Sequence, residues 1–234
     1  MKSLNSSNST STPKFTKSPI LKEWINDQHL QVSSVRQQQK EFLSSRPFPH
    51  IKIPFFLHEA KALALQNAIS KVQYELKVAD LFQFYQTSDL TTIDHSENSK
   101  IISQFIALLR HPDFRTYFKA ITNQDIKRSK IDLFASIYRD THFLLPHDDQ
   151  LEGRQIAFML YLTTLQQKDG GILQLFESKN KIPTQKTKDI IPEFNSFIFF
   201  KVSPISFHQV TEVLRPINRL TLSGWYSTHG KSHY

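Results

Sequence analysis

The chain has 234 residues, 39% of them apolar and 12% aromatic, with a formal net charge of +8. A chain of that length removes roughly 70% of its unfolded surface from water, so one domain with a sizeable core needs no cross-links. There is no cysteine; disulfides and thiolate metal sites are excluded, any metal must sit on nitrogen and oxygen, and a reducing cytoplasm is the expected location. No apolar run reaches the eighteen or so residues of a membrane span, and the opening MKSLNSSNSTSTPKFTKSP has no apolar stretch of the kind a secretory signal needs.

In chain order, residues 1–20 are rich in Ser, Asn, Thr and Lys and read as a disordered polar tail. Residues 21–46 read as an N-terminal helical segment, and residues 47–234 as the main domain. HIKIPFF (50–56) alternates like a strand, and a helix follows over residues 58–71. A second helix is expected over residues 99–109, where Ile101, Ile102, Phe105 and Leu108 recur at helical spacing. After Lys130 short β-like runs follow one another: IDLFASIY, HFLLPHDD, IAFMLYLT, ILQLFE, FIFFKV, FHQVTEVL and RLTLSGWY. Asp169-Gly170-Gly171 marks a turn between two of them. Helices first and many short strands afterwards predict an α+β chain whose second half is an all-β barrel or jelly roll.

Within LLPHDDQ, His147 and Asp149 are two positions apart, and alternation in a strand points them to one side with Asp148 on the other. SFHQV supplies His208. Two histidines and a carboxylate make the facial triad of non-haem Fe(II) oxygenases, which leaves open positions on the metal. His-x-Asp alone is common by chance, and a lone strand histidine is more often a satisfied or exposed residue. Arg219 supplies context, eleven residues after His208 in NRLTLSGWY, where its planar fork suits a carboxylate. A surface ion pair is the bland alternative, but Leu220, Leu222 and Trp225 around it favour burial, and a buried arginine needs a partner. Thr221 and Ser223 share its face by alternation. Tyr138, at the end of IDLFASIY, could reach the same carboxylate or be plain core.

The stretches HFLLPHDDQLEGRQIAFMLYLT, DGGILQLFE, FNSFIFFKVSPISFHQVTEVL and NRLTLSGWY, with DLFQFYQTSDL upstream, resemble the prolyl 3-hydroxylases that modify a ribosomal small-subunit protein. These are 2-oxoglutarate- and Fe(II)-dependent dioxygenases of the prolyl-hydroxylase superfamily. The resemblance spans residues 47–226 and implies a double-stranded β-helix with flanking N-terminal helices. It implies His147, Asp149 and His208 as iron ligands and Arg219 and Tyr138 as 2-oxoglutarate-binding residues. The cofactors implied are Fe(II), 2-oxoglutarate as cosubstrate and O2, with ascorbate a further candidate. The reaction implied is hydroxylation of a prolyl residue with release of succinate and CO2.

Two departures stand out. Eukaryotic members carry a second, catalytically silent β-helix domain, for which these 234 residues leave no room. The family's cysteine before the first ligand histidine is replaced by Pro146. The expected partner is a protein substrate, plausibly ribosomal, with no membrane. The basic charge leaves direct nucleic-acid binding open, although no dense Lys/Arg block appears. The same chemistry on a free amino acid, another small molecule or a nucleobase stays open, as do a non-enzymatic metal-binding module and zinc hydrolysis.

Overall fold

The computed structural model describes residues 13–92, 100–151 and 153–228. Three helices come first: α1 (Pro19–Trp24), α2 (Asp27–Leu30) and α3 (Val32–Ser44). Pro19 sits in the first turn of α1, where its missing N–H costs nothing. The last part of the polar tail expected over residues 1–20 is ordered. Residues 1–12 lie outside the described residues, but Lys14–Lys17 forms a 3-10 turn. Phe15 within it is buried edge-on against Tyr117, with ring centroids 5.7 Å apart. One aromatic anchor outweighs the polar average, because burying a side chain of this size contributes about 1.5–3 kcal/mol.

Strand β1 (His50–Ile53) and helix α4 (Glu59–Ile69) follow, then a hairpin of β2 (Glu75–Ala79) and β3 (Phe82–Gln86), then α5 (Lys100–Arg110) and α6 (Pro112–Thr122). The apolar residues of α5, Ile102, Phe105, Ile106 and Leu109, fall on one buried stripe. Helix α6 opens on Pro112, with the His111 ring accepting from the Asp113 N–H, and closes on Asn123 in the left-handed conformation at φ 55°. Neither α6 nor the β2–β3 hairpin is among the elements expected from periodicity.

The barrel strands are β4 (Lys130–Tyr138), β5 (Phe143–His147), β6 (Arg154–Tyr161), β7 (Leu173–Lys179), β8 (Ile182–Ile190), β9 (Ser196–Lys201), β10 (His208–Val210) and β11 (Arg219–Ser227). Two differ from expectation. FHQVTEVL is a strand only over its first part; beyond Val210 its backbone turns to other partners, Thr211 N–H to Ile172 and Val213 N–H to His142. Strand β8, polar and lysine-rich, gives no apolar alternation because it is an exposed edge, where lysine discourages pairing with another chain.

The strands form one antiparallel ladder in the order β1-β9-β6-β11-β4-β3-β5-β10-β7-β8, with β2 on β3. Strand β3 pairs with both β4 and β5, so the ladder curls and brings its two halves face to face. This is the expected double-stranded β-helix. Alternation divides the half formed by β1, β9, β6, β11 and β4 into two buried faces. Ile156, Phe158, Leu160, Phe197, Phe199, Leu222 and Tyr226 pack with the helices, including residues of α1 and α3. Ala157, Tyr161, Ile198 and Phe200 point into the barrel. Residues 21–46 therefore share one core with the sheet.

Candidate metal and oxoacid site

Strand β5 ends at His147, and its Cα partner across the ladder is His208 at the start of β10. That pairing holds the two rings 4.2 Å apart, centroid to centroid. Each Nδ1 lies against a backbone carbonyl two residues back, 2.9 Å to Leu145 for His147 and 2.8 Å to Ser206 for His208. A carbonyl only accepts, so Nδ1 carries the proton and Nε2 keeps its lone pair. Both Nε2 atoms lie 3.5 Å from a carboxylate oxygen of Asp149.

Alternation is not what brings Asp149 there. The strand has ended, and Asp149 reaches the histidines through a left-handed backbone at φ 60°. A strained residue of this kind persists only where its surroundings hold it. Asp148 is turned elsewhere: its carboxylate accepts from the Gln150 N–H at 2.9 Å and its carbonyl accepts from Ser206 Oγ.

Burial sets the electrostatics. It is the main cause lowering the His208 pKa to about 4, with His147 beside it acting in the same direction. For Asp149 burial is also the largest effect and would raise the pKa. His208, His147, Arg154 and the Trp225 indole together outweigh it and hold the carboxyl below its usual range. Arg154 is the permanent cation beside it, with Nη1 3.5 Å from Asp149 Oδ1 and its guanidinium over the Trp225 ring at 3.7 Å. The buried Trp225 Nε1 faces the same carboxylate.

Arg219 begins β11 directly opposite Tyr138. It is 2% exposed. Its Nε donates to the Gly171 carbonyl at 2.8 Å, and Nη2 donates to the Tyr161 hydroxyl at 3.2 Å. The guanidinium carbon lies 5.0 Å from the Tyr138 ring centroid and 4.9 Å from that of Tyr161. Among the described residues it has no carboxylate in ion-pair reach. Burial, with a smaller contribution from Asp149 and against the pull of Arg219, pushes the Tyr138 pKa up, so its hydroxyl stays a donor at neutral pH. Tyr138, Thr221, Ser223 and Trp225 line one cavity with His147, Asp149, His208 and Arg219.

The residues present fit the groups the sequence suggests. Cis ligands about 2.1 Å from a shared ion lie roughly 3 Å apart, close to the 3.5 Å separations here. The one candidate metal cluster among the described residues is His147, Asp149 and His208, with all ligand atoms within 4.8 Å of one another. A buried, unpaired guanidinium in the same cavity fits an acidic ligand, since leaving it without one is costly. Among the described residues Asp149 is the only carboxylate lining that cavity. Arg154 and Tyr161 are the participants sequence reasoning did not single out. Arg154 lies within HDDQLEGR, but its partners emerge only where β6 and β11 meet the loop after β5.

Known proteins resemble this chain along most of its length. Residues 133–227 match the family model described as the 2OG-Fe(II) oxygenase superfamily. The chain is 39% identical over 220 residues to the prolyl 3-hydroxylase OGFOD1 of Xenopus laevis, covering 91% of this chain and 40% of that protein. It is 32% identical over 230 residues to the prolyl 3-hydroxylase sudestada1 of Drosophila melanogaster, covering 92% and 41%. The chain thus spans about two fifths of the length of these relatives. In fold it resembles a Pseudomonas putida prolyl-4-hydroxylase, with TM-score 0.63 and 17% identity over 83% of this chain and 99% of that one. It also resembles a Trichoplax adhaerens prolyl hydroxylase solved with a hypoxia inducible factor peptide, with TM-score 0.61 and 15% identity over 85% and 94%. The 2OG-Fe(II) oxygenase match covers β4 to β11, the strands that carry His147, His208 and Arg219, and the relatives at more than 30% identity align along nearly the whole of this chain.

Proposed function

We propose that the chain is a 2-oxoglutarate- and Fe(II)-dependent dioxygenase that hydroxylates a prolyl residue of a protein. The observation that carries the chemistry is the buried Arg219, without a carboxylate partner among the described residues, in one cavity with His147, Asp149 and His208. His147 and His208 would hold the metal through Nε2, and Asp149 through its carboxylate. The fork of Arg219 and the hydroxyl of Tyr138 would hold the distal carboxylate of 2-oxoglutarate, with Thr221 and Ser223 beside it. Bound Fe(II) and 2-oxoglutarate supply the oxidation: one atom of O2 enters the product hydroxyl, the other enters succinate, and CO2 leaves. Ala157, Met159, Leu173 and Val210 line the same cavity and exclude water from it.

The prolyl substrate rests on the prolyl 3-hydroxylase relatives, and a ribosomal protein is inferred from the resemblance in the sequence. The +8 charge suits a phosphate-coated partner. A cytoplasmic location suits such a partner and the lack of cysteine; among the described residues no helix is long and apolar enough to cross a membrane. The test is anaerobic loading with Fe(II), then O2, 2-oxoglutarate and a mixture of ribosomal proteins. Succinate release with one added oxygen on a prolyl residue is expected. Hydroxylation confined to free proline would move the assignment to a small-molecule oxygenase.

A further inference from the structure

A second concave surface lies on the helical side of the molecule, about 670 Å³ in volume, between the end of α5, α6 and the loop leading into β4. Among the described residues, Arg110, Arg115, Lys119, Lys127 and Arg128 line it against one acid, Asp125. Arg115 is structural: its guanidinium donates to the carbonyls of Ile126, Lys127 and Ser129 and so pins the loop to α6. Lys127 and Arg128, both exposed, therefore project from a fixed frame. Asp125 is already engaged by Lys119 at 2.9 Å and feels Lys127 as well. The cations left over repel one another, and a polyanion would relieve that repulsion.

We propose that this groove binds the phosphodiester backbone of a nucleic acid. Its lining favours that occupant over an acidic protein. Among the described residues Pro112 is the only apolar one there, which gives a protein partner's buried anchors little to seat on. Protein interfaces are depleted of lysine, whereas lysine and arginine dominate contacts to phosphate. Among the described residues no aromatic side chain lines the groove, which predicts binding without base stacking and without sequence preference. One hydrogen bond ties the loop before β4 to the start of β6. Ser129 Oγ donates to Gln155 at 2.6 Å, and Arg154, next in the chain, reaches Asp149. The inference stands on the groove alone and does not require the oxygenase assignment.

The test is fluorescence anisotropy with a labelled RNA duplex of about 20 base pairs and arbitrary sequence, over a salt series, on the metal-free full chain. Lys127→Glu with Arg128→Glu should weaken binding at least tenfold. It should also make the slope of log affinity against log salt shallower by about 2, near 0.9 per lost phosphate contact. Arg128→Gln alone should give a smaller loss in the same direction. Lys179→Glu with Lys188→Glu, the same charge change on the distant β7–β8 edge, should bind almost as the wild type does. Equal losses in both double variants, no RNA binding by the wild type, or equally tight binding of a polyglutamate peptide would each overturn the proposal.

Discussion

Arg219 and Tyr138 stand directly opposite each other across the β4–β11 ladder, with the guanidinium carbon 5.0 Å from the phenol ring centroid. The ladder register fixes both groups, so neither needs a loop to order before a carboxylate arrives between them. Arg219→Ala should weaken 2-oxoglutarate binding by about 2–5 kcal/mol, the usual cost of truncating one side of a buried charge pair. That is a loss of more than tenfold. Fe(II) affinity without 2-oxoglutarate should barely move. Arg219→Lys should recover only part, because an ammonium cannot reproduce the two-pronged contact. Tyr138→Phe should lose less, about 1.5–3 kcal/mol for one hydrogen bond to a charged group. Anaerobic calorimetry on folded variants decides; unchanged 2-oxoglutarate affinity in Arg219→Ala would remove the main support for the oxygenase assignment.

Asp149 and Asp148 are neighbours with different surroundings, and their variants should separate. Asp149→Ala removes the anion between His147 and His208 and leaves Arg154 facing neutral groups. Fe(II) binding and turnover should both collapse. Asp148→Ala removes only the turn contact to the Gln150 N–H. It should retain most Fe(II) affinity and cost about 1 kcal/mol in stability. Matching losses of Fe(II) affinity in the two variants would show that the metal is held by something other than Asp149.

The histidine–aspartate spacing was legible in the sequence, but for an incomplete reason. Alternation was expected to align His147 with Asp149; the ladder aligns His147 with His208, and a left-handed turn delivers Asp149. Arg219 and Tyr138 were legible because both sit in strongly apolar strands, where a polar residue must have a purpose. Arg154 and Tyr161 carried no comparable signal, since their partners are set by which strands cross. The basic groove was illegible for a similar reason. Arg110, Lys119, Lys127 and Arg128 are dispersed in sequence and converge only when α6 packs and Arg115 ties down the loop. Strand β8 was missed because an exposed edge has no buried face to impose a period.

Gly171 links the fold to the site. It holds φ at +64°, and a Cβ there would stand 2.9 Å from Leu165 Cδ1 and 3.1 Å from Arg219 Cδ. Its carbonyl also accepts from Arg219 Nε. Gly171→Ala should therefore cost about 1–2 kcal/mol for the left-handed backbone, plus whatever Leu165 and Arg219 yield. The expected signature is a lowered melting temperature together with weaker 2-oxoglutarate binding and retained Fe(II) affinity. A stability loss with 2-oxoglutarate affinity unchanged would show that Arg219 does not depend on this turn.

His50 should make the protein sensitive to mild acid. Its side chain is buried; burial is the main cause lowering its pKa to about 4, with Lys188 adding to it and the Phe48 carbonyl opposing. Nδ1 donates to that carbonyl at 2.7 Å, while Nε2 has no partner among the described residues, so a second proton would be buried unsolvated. The unfolded chain takes up this proton near pH 6.5, and the folded chain only near 4. Between these values the unfolded state binds more protons, so stability is complete above about pH 6.5 and falls as pH drops toward 4. At about 1.36 kcal/mol per unit of pKa difference, the full contribution is on the order of 3 kcal/mol. His29, His142 and His208 are shifted the same way and add to the slope. Urea unfolding at a series of pH values should show the midpoint falling from pH 7 to 4.5, and His50→Leu should flatten part of that fall. An unchanged slope in a folded His50→Leu variant would mean that His50 takes up its proton at the same pH folded as unfolded.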